Sequence, residues 1–187
     1  MRKLIESTFV TLGGDISAPQ EWGAGFLSGA GVDAHLRSLL FGAGALLLGR
    51  KTYEGLSAGY LAMAAGDPES VPDFVATMNA IPKHVASTTL TDLGWNASLL
   101  GPDVAAGVAA LKQQPGRYLL KYGTGPLDLT LAAHGLIDEF QIWVVPVTAP
   151  PGQRLFEDVP DLRLKLTGST AFETGVVLLT YVPDGAA

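Results

Sequence analysis

The stretch Leu46-Leu47-Leu48-Gly49-Arg50-Lys51-Thr52-Tyr53-Glu54 carries the deciding pattern. From Ala43 to Gly49 the chain is uncharged and apolar, as suits a short strand covered on both faces. Gly49 ends that run, and Arg50 can open a helix. A buried strand running directly into a helix is the unit of a parallel α/β sheet. Such sheets bind ligands beyond the carboxyl ends of their strands. A helix N-terminus placed there offers unpaired N–H groups and partial positive charge to an anion. Glycine at the joint lets a phosphate approach the backbone closely. Arg50 and Lys51 add charge and Thr52 adds a hydroxyl, so the joint suits a phosphorylated cofactor. A plainer reading also fits, because glycine after a strand is ordinary turn chemistry and both cations suit a solvated helix surface.

A second joint has the same form. Tyr118 to Tyr122 is strand-like and runs into Gly123-Thr124-Gly125, and Pro126 to His134 follows as a helix with Gly135 as its stop. The dinucleotide fingerprint is incomplete here, since Asp128 stands where its third glycine would be. No phosphate-loop lysine motif is present.

The rest of the chain fits around these joints. Lys3 to Leu12 alternates as a strand, with apolar residues on both sides. Gly13 to Gly31 is a long irregular stretch, of the kind that is functional or mobile in a small domain. Val32 to Phe41 has helical spacing at Val32, Leu36, Leu39 and Leu40. Gly66 to Pro72 is a flexible, proline-containing stretch, and Asp73 to Ala80 is a short helix. Pro82 to Ser87 and Trp95 to Leu100 are strand-like. Asp103 to Gln113 is an amphipathic helix with a carboxylate at its start. Glu139 to Val145, Arg163 to Thr170 and Val176 to Val182 are strands. The order predicts a mixed α/β sheet of about eight strands, mostly parallel, with helices on both faces and an antiparallel edge.

The chain has 187 residues and no cysteine. This length suits one domain over residues 1–187, and disulfides, thiolate catalysis and cysteine metal sites are excluded. The net charge of −6, with only 16% charged residues and no Lys/Arg cluster, argues against nucleic acid as a partner. Glu6 interrupts any signal-peptide core, and no apolar run approaches a membrane span. These features lead us to expect a cytoplasmic protein without membrane association. His35, His84 and His134 lack metal-ligand spacing, so no metal site is expected.

Several residues could carry chemistry. Asp15, Glu21 and Asp33 are candidates for assisting proton transfer, although each equally fits a solvated loop charge. Trp22 and Phe26 could wall a planar substrate or anchor the long loop to the core. Ile142-Trp143-Val144-Val145 suits either core or an interface between two copies.

Taken together, four stretches resemble the RibD C-terminal family, the reductase domain of riboflavin synthesis and its stand-alone relatives with a dihydrofolate-reductase fold. They are Thr8 to Leu12 with Gly14, Ile16 and Ser17; Leu47 to Glu54; Lys83 to Ser87; and Tyr122 to Leu127. Leu136 to Glu139 and Arg154-Leu155-Phe156 also match. The resemblance implies a dihydrofolate-reductase-like sheet, a homodimer and an NADPH site. In that site Gly49, Arg50, Lys51 and Thr52 would hold the adenosine-side phosphates, with Ser87 and Thr88 near the 2′-phosphate. Tyr122, Gly123, Thr124 and Gly125 would take the pyrophosphate, Leu12 and Ile16 would border the nicotinamide, and Arg154 would face the small-molecule substrate. The chain departs from relatives at Gly13-Gly14, where they commonly carry Asp-Gly, and at Ser87-Thr88-Thr89, where they often carry Ser-Arg-Thr. It also has Ala149-Pro150-Pro151-Gly152 in place of a glycine-rich turn. The expected activity is NADPH-dependent reduction of a small heterocycle or ribosylated pyrimidine. The alternatives are a non-catalytic NADP-binding or sensor protein and a structural homodimer.

Overall fold

A computed structural model describes residues 1–66, 71–157, 159 and 161–185. The expected flexible stretch from Gly66 to Pro72 contains residues 67–70, which lie outside the described residues. Among the described residues the strands are β1 (Leu4–Thr11), β2 (Ala45–Gly49), β3 (Lys83–Ala86), β4 (Ala97–Leu99), β5 (Leu119–Tyr122), β6 (Glu139–Val145), β7 (Leu164–Ala171) and β8 (Val177–Pro183). The helices are α1 (Pro19–Trp22), α2 (Ala24–Leu27), α3 (Ala30–Gly42), α4 (Arg50–Met63), α5 (Asp73–Ala80), α6 (Val104–Gln113) and α7 (Pro126–Ala133).

One sheet runs β4-β3-β2-β5-β1-β6-β8-β7. Its first six strands are parallel, and β8 and β7 close it as an antiparallel edge. This is the mixed, mostly parallel sheet expected from the order of elements. The two faces are separated by the period of two. Leu46 and Leu48 pack with Leu39, Leu40 and Met78 beneath α3 and α5, while Ala45 and Leu47 pack with Val108, Leu111 and Leu131 beneath α6 and α7. Leu46, Leu47 and Leu48 are wholly buried, each burial stabilising the fold by about 1.5–3 kcal/mol. The run Ile142 to Val145 lies inside the sheet between β1 and β8, and its Trp143 and Val145 are wholly buried in this one chain. That face of the strand is core.

The Gly13–Gly31 stretch is more ordered than its sequence indicates, since it contains α1 and α2, each one turn long. The strand expected from Trp95 starts at Ala97, because Trp95 and Asn96 take left-handed backbone angles (φ 58° and 53°). That turn drives the indole inward, where Nε1 donates to Asn79 Oδ1 at 2.6 Å and the Lys83 ammonium lies 4.1 Å above the ring. Asp103 caps α6 by accepting from the Ala106 N–H at 2.9 Å. Asp103→Ala should therefore cost about 1 kcal/mol in a urea denaturation series. No helix among the described residues is long and apolar enough to cross a membrane.

Candidate functional site

The two glycine joints meet in space. β2 and β5 are adjacent and parallel, so Gly49 at the end of one and Gly123 beyond the end of the other open onto the same edge of the sheet. β3 delivers Ser87 and Thr88 beside them. A cleft of about 960 Å³ spans these carboxyl ends and continues to Gly152 and Gln153 in the loop before β7. That volume lies at the upper end of the range for small-molecule and cofactor sites. Gly49, Arg50, Lys51, Thr52, Ser87, Thr88 and the run Tyr122 to Gly125 all line it.

The chemistry along the cleft differs by position. Gly49 is the N-cap of α4 and no side chain caps that helix, so its first N–H groups face the cleft without a competing side-chain acceptor. Arg50 is partly neutralised, because Nη1 donates to both Glu54 oxygens at 3.1 and 2.8 Å. Lys51 is exposed and makes no ion pair among the described residues. Ser87 Oγ accepts from the Thr89 and Leu90 N–H groups at 3.2 and 3.0 Å, which fixes the turn at the end of β3.

The second joint is built differently. Gly123 has φ +73°, a left-handed angle that favours glycine, and its N–H donates to the Ser7 carbonyl at 3.1 Å. Gly125 donates to Asp128 Oδ2 at 2.7 Å. Thr124 Oγ1 is buried without a partner among the described residues, beside the cleft. Tyr122 contributes backbone, since its ring packs into the core and burial raises its phenol far above the ordinary range.

Other sequence-derived candidates lie elsewhere. Leu12 is 65% exposed outside the cleft, and Ile16 packs beside the core cluster of Leu131 and Phe140. Glu21 and Asp33 are surface residues, and Asp33 lies 3.9 Å from Arg37. Trp22 and Phe26 pack against the Trp143 cluster, with Trp22 Nε1 donating to the Ser17 carbonyl at 2.7 Å. They anchor the long loop. Asp15 is the candidate acid closest to the cleft rim. It is buried, its Oδ1 accepts from the Ser17 N–H at 2.8 Å, and Oδ2 has no partner among the described residues. Arg154 pairs with it through the backbone as an antiparallel bridge. Gly152 closes over both Asp15 and Ser17: a Cβ there would lie 2.7 Å from Asp15 Oδ2 and 2.3 Å from Ser17 Oγ.

The pattern of the RibD C-terminal domain matches residues 2–178. The chain belongs to the RibD C-terminal domain family. The chain is similar to the uncharacterized protein YyaP of Bacillus subtilis (strain 168), 30% identical over 141 residues, covering 75% of this chain and 74% of YyaP. A solved protein from Shewanella sp. PV-4, named for riboflavin biosynthesis, superposes with a TM-score of 0.71 at 21% identity over 97% of this chain and 99% of its own. Schistosoma mansoni dihydrofolate reductase superposes with a TM-score of 0.60 at 12% identity, over 98% and 99% of the two chains. This RibD C-terminal domain therefore shares the dihydrofolate-reductase-like fold.

Sequence reasoning missed two residues that shape this domain's cleft floor, Lys121 and, beneath it, Glu6. Each is a charge inside a buried strand, and two such charges of opposite sign were the available signal.

Proposed function

We propose that the chain is an NADPH-dependent reductase acting on a small heterocyclic or ribosylated pyrimidine substrate. The observation that supports it is the convergence of both glycine joints, with Ser87 and Thr88, on one cleft of about 960 Å³. The residues present suit the cofactor. The uncapped start of α4, Lys51 and Thr52 would hold phosphate, and Thr124 Oγ1 offers a buried hydroxyl in need of a partner. Bound there, the reduced nicotinamide would supply the hydride. The chain's own work is binding and orientation. The glycine joints bring backbone donors to the phosphates, and Asp15, with its unpaired Oδ2 under Gly152, is the carboxyl placed to hold a proton at the rim. The family's reductase members and the dihydrofolate reductase likeness point to the same class of chemistry.

Calorimetric titration with NADPH and NADH tests the cofactor. Selective NADPH binding is the expected result, and binding of neither cofactor would overturn the reading. Lys51→Ala should weaken NADPH by about tenfold more than NADH, because it removes the unpaired cation beside the cleft. Glu54→Gln should tighten NADPH by freeing Arg50 from its carboxylate. Gly13-Gly14 in place of Asp-Gly favours one second reading, a binding protein without turnover. Tight NADPH binding with no oxidation across pteridines, pyrimidinones and quinones would establish it. The homodimer and the cytoplasmic setting remain part of the proposal, and sedimentation at several concentrations tests the first.

A further inference from the structure

Beneath the loop at 123–125 three ionisable side chains meet out of contact with water. Glu6 on β1 is 0% exposed, Lys121 on β5 is 3% exposed and Asp128 on α7 is 1% exposed. Parallel pairing puts Glu6 directly opposite Lys121. The Lys121 ammonium lies 2.8 Å from Asp128 Oδ2 and 3.7 Å from Glu6 Oε2, and it also donates to the Gly123 carbonyl. Asp128 Oδ2 accepts the Gly125 N–H as well. Both ends of the glycine loop are thus tied to one ion pair, Gly123 through its carbonyl and Gly125 through its N–H.

The cluster holds one cation for two carboxyl groups. Both Glu6 oxygens and Asp128 Oδ1 lack partners among the described residues. Two ionised carboxylates would leave a buried net negative charge and acceptors with nothing to accept from, an arrangement that a dry interior strongly disfavours. One retained proton removes the excess charge and supplies the missing donor. Among the described residues, Lys121 and Asp128 are the charged groups that act on Glu6. On its own strand Glu6 shares its face with Leu4 and Thr8, whose hydroxyl is also unpaired, and β6 places Phe140 opposite it. Burial raises the Glu6 carboxyl well above its usual range, Lys121 opposes that rise, and Asp128 adds to it.

We propose that Glu6, although outside the cleft, is a positioning residue for the loop at 123–125, staying neutral so that Lys121 stays committed to Asp128 and Gly123. Ionised, Glu6 would compete for the same ammonium from 3.7 Å and loosen both ties. The consequence for NADPH affinity rests on the proposed function, whereas the positioning of the loop does not.

The test separates the two. Full-length ¹³C,¹⁵N-labelled protein is titrated without ligand from about pH 5 to about pH 10, following the Glu6 carboxyl carbon and the Gly123 and Gly125 amides. Glu6 should still carry its proton at neutral pH, and the loop amides should shift with its midpoint. In Glu6→Gln, which mimics the neutral acid, those amides should be flat with pH. Ionisation of Glu6 in the usual carboxylate range, or loop amides that ignore its titration, would overturn the proposal. Should Glu6→Gln fail to fold, the wild-type titration decides alone. NADPH titrated in parallel should bind about tenfold more weakly above the Glu6 midpoint than below it, with no such change in Glu6→Gln. Absence of NADPH binding at every pH, with the amide midpoint present, would overturn the cofactor reading and leave the positioning role standing.

Discussion

Lys121→Met should destabilise the protein by about 3–5 kcal/mol, the range for breaking a buried ion pair by removing one partner. Methionine matches the length of the stem and removes the charge. Asp128 would then sit 1% exposed with only the Gly125 N–H as a partner, and Glu6 would lose its one cation. Urea denaturation measures the loss, and a change below about 1 kcal/mol would mean that the cluster is not held together electrostatically. Adding Glu6→Gln, which mimics the protonated acid, should change that loss little, because Asp128 is the charge left stranded. The pH dependence has a definite sign. The native state holds a proton on Glu6 that the unfolded chain releases in the usual carboxylate range. Stability contributed by that proton is present below that range and is lost as pH rises towards the raised native value. Glu6→Gln should flatten this part of the profile.

Trp143→Ala should cost about 3–5 kcal/mol through the cavity it leaves. The indole is 0% exposed, stacks on Phe172 with centroids 5.6 Å apart, meets the edge of His35 at 5.1 Å, and donates through Nε1 to Ser7 Oγ at 3.0 Å. Truncation strands the Ser7 hydroxyl and unpacks Trp22 and Phe26, the anchors of the loop that carries Asp15. Thermal melting should show the loss. Retention of wild-type stability would mean that the cluster repacks around the void.

The regular elements were legible because their periods are local. Glu139–Val145 is a strand as read, Asp103 caps the helix it precedes, and the two glycine joints stand where strand gives way to helix. Convergence of those joints followed from parallel pairing. Two kinds of feature were hidden. Trp95 turns inward on a left-handed backbone, where its indole meets Asn79 and Lys83, 16 and 12 residues earlier in the chain. Glu6, Lys121 and Asp128 each look like a polar interruption in their own segments. Lys121 and Asp128 are seven positions apart, but Glu6 joins them from more than a hundred positions away, a contact that no window of sequence displays. Trp22 and Phe26 fitted a substrate wall as well as a loop anchor, and their packing against the Trp143 cluster was not legible in the sequence.

The place of β1 has a consequence for how the molecule is made. The first strand lies in the middle of the sheet, with Leu4 paired to Leu119 and Ile5 to Glu139. During synthesis its first neighbour, β5, begins more than a hundred residues after β1 ends, β6 follows it, and β8, which shields β6, comes later still. Such long-range pairings close slowly and leave apolar strands waiting in solvent. Glu6, the third residue of β1, puts a charge into that waiting strand, an interruption of the kind that guards apolar segments against misassociation.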